Sequence, residues 1–311
     1  MIQGNSDKPK IIMICGPTAI GKTSVAIETA EAVGGEIVGA DSVQIYRHMD
    51  IGTAKPTPEE KRRVAHHMID IVNPDESYDA ARFSLEARAS VNQLLAWGHV
   101  PLVAGGTGFY VKALLYGLCE AAPENGAIRT RLREEADRGG GQYLHQRLKA
   151  CDPEAAAIIH PNDVYRIIRA LEVYEASGMS MTEFRRRHGF SDAPYNVLKI
   201  GLFMDRQALY ARIEQRVDRM IAQGLHDEVR QLLAAGYHEN LRSMQSLGYR
   251  HMTAYIQGKT DHASAVAGLK KDTRNYAKRQ LTWFRKDSQT TWFEPDQINR
   301  IIACARAFLD Q

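Results

Sequence analysis

The feature that most constrains the fold is an eight-residue stretch that fits the phosphate-binding loop pattern G-x-x-x-x-G-K-[ST] at every fixed position. It consists of Gly16, Pro17, Thr18, Ala19, Ile20, Gly21, Lys22 and Thr23. The apolar run 10–15 before it predicts a buried parallel strand, and residues 22–33 after it predict a helix that ends at a glycine pair. An ordinary glycine turn is the alternative, which the four fixed positions and the strand–loop–helix order disfavour.

A loop of this kind binds a diphosphate or a triphosphate. Its backbone N–H groups converge on the anion, and the helix N-terminus adds partial positive charge. Lys22 can reach a terminal phosphate, and the Thr23 hydroxyl can ligate Mg²⁺, which we expect as the cofactor. We therefore predict an α/β fold with a P-loop NTPase-like core, in which helices flank a parallel sheet. The loop does not determine which reaction follows.

Composition narrows the class of protein. The chain has 311 residues, long enough for two domains, and 44% apolar with 25% charged residues is typical of a globular protein. No apolar run approaches the length of a membrane span, so we expect no membrane association. Four scattered cysteines without a C-x-x-C pair disfavour zinc and disulfides and predict a cytoplasmic location. At a net charge of +3, a nucleic-acid partner would need a local basic surface.

Two polar residues follow predicted strands at the edge of the sheet that carries the phosphate-binding loop. Asp41 follows the short strand 36–40, and Thr107 lies in a glycine turn after the strand 99–104. Ligands of open parallel sheets bind beyond the carboxyl ends of the strands. Asp41 could equally cap a short helix, because aspartate is a preferred N-cap, and position alone leaves the two interpretations even. A tight turn would explain the glycines but not Thr107.

Residues 121–190 show helical patterns and no convincing strand. We predict an all-α insertion domain there, between the two parts of a core domain at 1–120 and 191–311. Within the core we expect a helix at 58–67, an extended segment at 68–72, and a long helix at 78–97 whose apolar stripe includes Leu85. Tyr174 is placed on the apolar stripe of the insertion helix 163–177. For the adjacent His66 and His67 we favour structural hydrogen bonding over metal binding, because neighbours on a helix face different directions.

The C-terminal part combines cations with aromatic residues. A helix over 206–223 carries Arg212, Arg216 and Arg219 at helical spacing, and a glycine-bearing join follows at 245–250. The most basic stretch runs from 270 to 286, with Tyr276, Trp283 and Phe284 interleaved. Such a mixture suits phosphates and unpaired bases.

Six blocks together resemble the bacterial tRNA dimethylallyltransferase (tRNA isopentenyltransferase) family. They are residues 16–23, 41–46, 105–108, 166–172, 245–250 and 273–285. They cover nearly the whole chain in the family's order and with similar gaps, which makes them far more specific than the phosphate-binding loop alone.

The resemblance implies transfer of a dimethylallyl group from dimethylallyl diphosphate to N6 of the adenosine on the 3′ side of the anticodon, in tRNAs that read codons beginning with U. It implies Asp41 as general base, with Thr107 and Lys22 as the other catalytic residues, Arg216 on the diphosphate and Thr23 on Mg²⁺. It implies tRNA contacts from Asp41, Ser42, Val43, Gln44, Thr107, Arg129, Tyr165, Arg166, Ile167, Ile168, Arg169, Gln245, Gly248 and Arg250. The implied partners are dimethylallyl diphosphate and the anticodon stem-loop of tRNA, with the insertion domain contacting the anticodon arm of a monomeric enzyme.

Three other functions use parts of the same sequence. A small-molecule kinase or nucleoside triphosphatase would bind ATP on the same loop, but it does not explain the insertion or the basic, aromatic-rich C-terminal stretch. An adenylate isopentenyltransferase would prenylate free AMP. A non-catalytic RNA-binding protein with a vestigial loop is disfavoured by the intact Lys22 and Thr23.

Overall fold

The computed structural model describes residues 8–118, 125–189 and 192–311 and contains a parallel β-sheet. Its strands are β1 (Lys10–Cys15), β2 (Gly35–Gly39), β3 (His66–His67), β4 (Val100–Gly105), β5 (Asn196–Leu202) and β6 (Thr291–Phe293). They are ordered β3-β2-β4-β1-β5-β6, and every neighbouring pair is parallel. The α/β fold predicted from the sequence is confirmed.

The chain divides into two compact units. Unit 1 comprises Met1–Leu115 and Pro194–Gln311, and unit 2 comprises Tyr116–Ala193. The helices before unit 2 are α1 (Lys22–Val33), α2 (Pro58–Arg63), α3 (Ala80–Ala96) and α4 (Gly108–Tyr116). The later helices of unit 1 are α9 (Arg206–Ala222), α10 (Leu225–Ala234), α11 (Tyr249–Ile256), α12 (His262–Phe284) and α13 (Ile298–Leu309). Unit 2 contains α5 (Gly126–Cys151), α6 (Pro153–Ile158), α7 (Val164–Ser177) and α8 (Met181–His188).

The core of unit 1 lies between the sheet and its helices. Ile12, Ile14 and Ile200 are fully buried and pack with Ile27 of α1. A strand covered on both faces needs a nearly continuous run of apolar residues, and the sequence of β1 is such a run. Within the ranges the structure describes, the helices are too short or too polar to span a lipid bilayer.

The segment 58–72 differs from the prediction. Helix α2 ends at Arg63, Val64 is extended with φ −141°, and the pairing with β2 falls on His66 and His67; within 68–72, Val72 forms an isolated parallel bridge with Tyr46, while Met68 and Asp70 have positive φ. Val64 is buried in the core of unit 1, which stops the helix before the histidines. The Nδ1 of His66 lies 2.8 Å from the Val64 carbonyl, and the Nε2 of His67 lies 2.6 Å from a Glu36 carboxylate oxygen. Both histidines therefore make hydrogen bonds, as predicted.

Unit 2 has a small core of its own. Leu132, Leu144 and Leu148 of α5 pack with residues of α6 and α7. Gly140 interrupts α5 with φ 73° and ψ 168°, a conformation that favours glycine. The prediction of apolar stripes was wrong at two positions, because Tyr174 is 37% exposed and, in unit 1, Leu85 is 73% exposed.

Candidate active site

The phosphate-binding loop joins β1 to α1, and its backbone requires glycine. Gly16 has φ 151° and Gly21 has φ 106°. A Cβ on Gly16 would lie 2.9 Å from the carbonyl oxygen of Leu202, so the neighbouring strand leaves no room for a side chain. Ala19 also adopts a positive φ of 65°. The loop thus opens at the carboxyl end of β1 and leads into the N-terminus of α1, as an anion cradle requires.

Two half-buried cations face this region. Lys22 donates from Nζ to the Pro17 carbonyl at 2.8 Å, and Arg216 of α9 donates from Nη2 to the Thr53 carbonyl at 3.4 Å. Burial and the neighbouring charge of Arg216 lower the pKa of Lys22 to about 8, while Asp41 acts in the opposite direction. Burial also lowers the pKa of Arg216, again opposed by Asp41. Two cations that share one carboxylate form a site that favours an added anion.

Thr23 is suited to the predicted Mg²⁺. Its side chain is half-buried in the first turn of α1, and its hydroxyl has no hydrogen-bond partner among the described residues. Mg²⁺ at phosphate sites is commonly held by few protein oxygens together with phosphate oxygens and waters. The Thr23 hydroxyl fits that role. Elsewhere in the described ranges, no group of three or more His, Cys, Asp or Glu side chains could hold a metal ion.

Thr107 lies between Asp41 and the phosphate-binding loop. Asp41 follows β2, Thr107 follows β4 and the loop follows β1, in the sheet order β2-β4-β1. At about 4.8 Å between strands, β2 is roughly 10 Å from β1. The Thr107 hydroxyl accepts from the backbone N–H of Ser42 at 3.0 Å and donates to the Ser42 hydroxyl at 3.3 Å. The turn after β4 is thereby fixed to the turn after β2.

Asp41 combines both roles considered for it. Its Oδ1 accepts from the N–H groups of Val43 at 2.9 Å and Gln44 at 3.3 Å, the bonding expected of a capping aspartate. Its Oδ2 has no hydrogen-bond partner among the described residues. One oxygen of the carboxylate therefore fixes the local turn, and the other is available to a ligand.

The loop after Asp41 is held by a glutamate that the sequence did not reveal. Glu228 of α10 accepts from the N–H groups of Asp50, Ile51 and Gly52 at 2.9, 2.8 and 3.2 Å, and the Tyr249 hydroxyl donates to it at 2.6 Å. A Cβ on Gly52 would lie 2.5 Å from the Tyr249 ring. A glutamate on an amphipathic helix gives no local sign of such a partner.

The same loop reaches both sides of the site. Gln44 donates from Nε2 to the carbonyls of Thr53 and Ala54, both at 3.1 Å. Arg216 also donates to the Thr53 carbonyl. The loop therefore links a residue of the Asp41 turn to a cation of the anion site.

Gln280 of α12 joins two further parts of the site. Its side chain is 6% exposed, its Oε1 accepts from the Thr18 N–H at 2.8 Å, and its Nε2 donates to the Gly106 carbonyl at 2.9 Å. It thus ties the phosphate-binding loop to the glycine turn that carries Thr107. The sequence contained a signal for it: Gln280 occupies the buried stripe of α12 at helical spacing from Ala277 and Phe284.

Tyr276 lies one turn before Gln280. Burial and the charge of Asp41 raise the pKa of Tyr276 to about 12, and a hydrogen bond with the Thr107 side chain opposes this shift. The phenol therefore belongs to the Asp41 and Thr107 side of the site. Phe284, by contrast, is 4% exposed and belongs to the core.

The block 245–250 contacts the rest of unit 1. Gln245 donates to the Glu239 carbonyl at 2.6 Å, Arg250 pairs with Asp272, and Gly248 has φ 89° and lies against Gly52. A cavity of about 470 Å³ is lined in part by Gln245 and Arg250.

In unit 2, a buried carboxylate holds two of the arginines singled out from the sequence. Glu172 is fully buried and accepts from the Asn125 N–H at 2.7 Å, from Arg129 at 2.8 Å and from Arg169 at 2.9 Å. Burial raises the pKa of Glu172, but hydrogen bonds from Arg169, Asn125 and Arg129 outweigh it and lower that pKa. The arrangement fixes the two arginines with respect to each other.

The remaining members of that segment separate into surface and core. Tyr165 is 64% exposed, and Arg166 is exposed with Asp163 at 3.4 Å. Ile167 and Ile168 belong to the core of unit 2, so their side chains hold α7 in place. A cavity of about 200 Å³ is lined by Arg129, Arg133, Val164, Tyr165 and Ile168.

Comparison of this chain with known proteins identifies its family. The profile of the IPP transferase family matches residues 44–287, and that of the isopentenyl transferases matches residues 9–72. The chain is 52% identical over 310 residues to the tRNA dimethylallyltransferase of Desulfosudis oleivorans, covering 99% of both chains. It is also 52% identical over 306 residues to tRNA dimethylallyltransferase 2 of Syntrophus aciditrophicus, covering 98% of both.

A solved structure agrees over the same length. The full-length tRNA isopentenylpyrophosphate transferase from Bacillus halodurans superposes with a TM-score of 0.73 at 39% sequence identity, covering 97% of each chain. A profile match over most of the sequence and full-length relatives at this identity lead to one conclusion: the chain belongs to the IPP transferase family.

Proposed function

We propose that this protein transfers a dimethylallyl group from dimethylallyl diphosphate to N6 of the adenosine on the 3′ side of the anticodon, in tRNAs that read codons beginning with U. The products are N6-dimethylallyladenosine and diphosphate. Full-length relatives named tRNA dimethylallyltransferase support the proposal. The structural observation that carries it is the order of Asp41, Thr107 and the phosphate-binding loop along one edge of the sheet.

The donor side must stabilise a departing anion. The allylic C–O bond breaks, its electron pair leaves with the diphosphate, and the five-carbon group becomes cationic. We expect the loop N–H groups, Lys22 and Arg216 to bind the diphosphate oxygens. A preorganised donor of this kind is commonly worth roughly 3–4 kcal/mol of transition-state stabilisation. Mg²⁺ held by the Thr23 hydroxyl would supply further charge neutralisation at those oxygens.

The acceptor side must activate a weak nucleophile, because the N6 lone pair is delocalised into the adenine ring. As the C–N bond forms, the Oδ2 of Asp41 takes the proton from N6. Oδ1 meanwhile keeps its backbone bonds, so the carboxylate stays oriented. A general base typically contributes about 10²–10⁴-fold. Thr107, fixed to Ser42, separates the two reacting sides and is the third catalytic residue of the proposal.

The adenine must leave its stack to reach this edge, so we expect base flipping. Ser42, Val43 and Gln44 follow Asp41 on the tRNA side, and Gln245, Gly248 and Arg250 complete the contacts from unit 1. Arg129, Tyr165, Arg166 and Arg169, supported by Ile167 and Ile168, are proposed to bind the anticodon arm from unit 2. We further propose a monomeric, cytoplasmic enzyme.

Nucleoside mass analysis tests this function. Unmodified tRNA is incubated with the protein, Mg²⁺ and dimethylallyl diphosphate, digested and analysed. The expected result is a dimethylallyl adduct on one adenosine, next to the anticodon. AMP replaces tRNA in a parallel reaction, and ATP hydrolysis is followed without tRNA. A prenylated AMP, or phosphate release from ATP with unmodified tRNA, would replace the proposal by one of its alternatives.

A further inference from the structure

One face of α12 extends outward from the acceptor side of the site. Tyr276, Arg279, Gln280 and Trp283 are three and four residues apart and share this face. Gln280 bonds to the Gly106 carbonyl, and the Thr107 side chain lowers the pKa of Tyr276, so both residues face the turn that carries Thr107. Trp283 continues the same row one turn further along the helix.

Trp283 rests against the glycine turn but is not covered. A Cβ built on Gly108 would lie 2.1 Å from Cδ1 and 2.2 Å from Nε1 of the indole, so the ring contacts the backbone immediately after Thr107. The side chain is nevertheless 40% exposed. Its N–H has no hydrogen-bond partner among the described residues. Tryptophans that combine apolar area with an unused donor are enriched at binding surfaces.

The charge around Trp283 identifies the class of partner. Lys278, Arg279, Arg285 and Lys286 are exposed, and none has a carboxylate partner within the ranges the structure describes. Arg279 instead lies over the Tyr276 ring, at 5.7 Å from its centroid.

Earlier in the same helix, two of the three cations between 270 and 274 are neutralised. Lys270 pairs with Asp218 at 2.7 Å, and Arg274 pairs with Glu214 at 2.7 Å. Lys271 is also exposed and unpaired among the described residues, so unpaired positive charge is concentrated around the exposed indole, where four such cations lie, without being confined to it. An exposed aromatic ring among unpaired cations matches an unpaired base with its phosphates.

We propose that Trp283 is the platform on which an unpaired base of the tRNA anticodon loop stacks, next to the adenosine that enters the site. This proposal rests on the proposed function. Every base presents a π-face, so this contact adds affinity without selecting sequence. It holds the RNA beside the Thr107 turn, on the side where Asp41 meets the acceptor.

Fluorescence of Trp283 provides the direct test. The chain has three tryptophans: Trp97, Trp283 and Trp292. Trp97 is 59% exposed, but it precedes β4 and therefore lies at the opposite edge of the sheet. Replacing it by Trp97→Phe leaves Trp283 as the exposed fluorophore. We expect an anticodon stem-loop RNA to quench the emission of this protein, and we expect the quench to disappear in the double variant Trp97→Phe, Trp283→Phe.

Affinity for the same labelled stem-loop is measured by fluorescence anisotropy. Trp283→Ala should weaken binding about 5- to 150-fold, the range found for loss of one base–aromatic stack. Trp283→Phe should stay within about threefold, since a ring remains. Trp97→Ala, the matched control, should bind as the wild type does. Steady-state kinetics should show a raised KM for tRNA with an unchanged KM for dimethylallyl diphosphate.

A second variant displaces the indole without altering it. Gly108→Ala puts a methyl group where Cδ1 and Nε1 now lie, so the ring must move. It should reduce both the quench and the affinity, although alanine suits the first turn of α4.

The outcomes separate the two proposals. If the wild type binds and prenylates the stem-loop but shows no quench, and Trp283→Ala binds equally well, the proposed role of Trp283 is wrong while the proposed function stands. If the wild type neither binds nor modifies the RNA, the proposed function is wrong, and the proposed role of Trp283 is wrong as well.

Discussion

Lys22 and Arg216 are two half-buried cations that share the carboxylate of Asp41. Their pKa values are lowered by burial, and Arg216 also lowers that of Lys22. The free protein therefore holds these charges in an unfavourable environment. An added diphosphate would reverse this, because it supplies the missing negative charge.

Binding of inorganic diphosphate should weaken above about pH 8. The pKa of Lys22, about 8, lies below the ordinary value of 10.5, because burial and Arg216 favour the neutral amine. Below that pH the ammonium is present; above it, binding must first restore the proton, which costs up to about tenfold in Kd per pH unit. Calorimetric titrations at a series of pH values measure this. Lys22→Arg keeps its charge and serves as the control for titration of the diphosphate itself. Parallel pH curves for the two proteins would contradict the assignment.

Asp41→Asn separates the two roles of this residue. The amide oxygen can still accept from Val43 and Gln44, so the turn is retained, but the base is lost. We expect unchanged tRNA affinity and at least about a 10²-fold loss in single-turnover rate. Asp41→Ala, which removes the turn as well, shows how much of any loss is structural. A near-normal rate in Asp41→Asn would remove Asp41 as the base.

Residues with a local motif could be predicted, whereas residues with distant partners could not. Gly16, Lys22 and Thr23 lie in one continuous pattern, and their loop has the predicted conformation. Gln280 bonds to Thr18 across 262 positions, and Glu228 bonds to Gly52 across 176. No local periodicity records such a pairing. The distant partners of the groups that hold the loops in place could therefore not be predicted from the sequence.

At the scale of elements, strand β3 could not be predicted for a similar reason. It contains two residues, and it exists because Ile37 and Val38 of β2 offer it an edge. The residues after Arg63 still favour a helix in sequence, but α2 ends there and Val64 packs in the core of unit 1. Longer helices, such as α9 and α7, began and ended within about one residue of the prediction. Tertiary context decided the short ones.

Helix α10 should stabilise the loop 50–52 through Glu228. In Glu228→Ala, three backbone N–H groups and the Tyr249 hydroxyl lose their acceptor, so we expect unfolding free energy to fall by about 2–3 kcal/mol. The turnover rate should fall too, because the loop contacts Gln44 and Arg216.

Glu214→Ala is the control, since it removes a glutamate whose side chain is 46% exposed in its ion pair with Arg274. Its cost should be within about 1 kcal/mol. Urea unfolding compares the two variants. Equal stability losses would show that Glu228 has no special role.

At the scale of the molecule, each unit has a hydrophobic core of its own. The anion site, Asp41 and Thr107 all belong to unit 1. The Glu172 cluster belongs to unit 2 and depends on neither the sheet nor the phosphate-binding loop. Mutations should therefore be able to weaken the binding of one proposed substrate without weakening the binding of the other.

Glu172→Ala should affect tRNA binding and leave diphosphate binding intact. It removes the buried acceptor shared by Arg129 and Arg169, and such a loss commonly costs about 3–5 kcal/mol. Hydrogen exchange should show lost protection in α5 and α7 only, with weaker tRNA binding and an unchanged diphosphate Kd.

Glu154→Ala is the matched control and should change none of these, because the Glu154 side chain is 59% exposed in its ion pair. Lys22→Met should do the reverse of Glu172→Ala, abolishing diphosphate binding while α5 and α7 stay protected. If diphosphate affinity falls together with protection in α5 and α7, the units are energetically coupled and the separation is wrong.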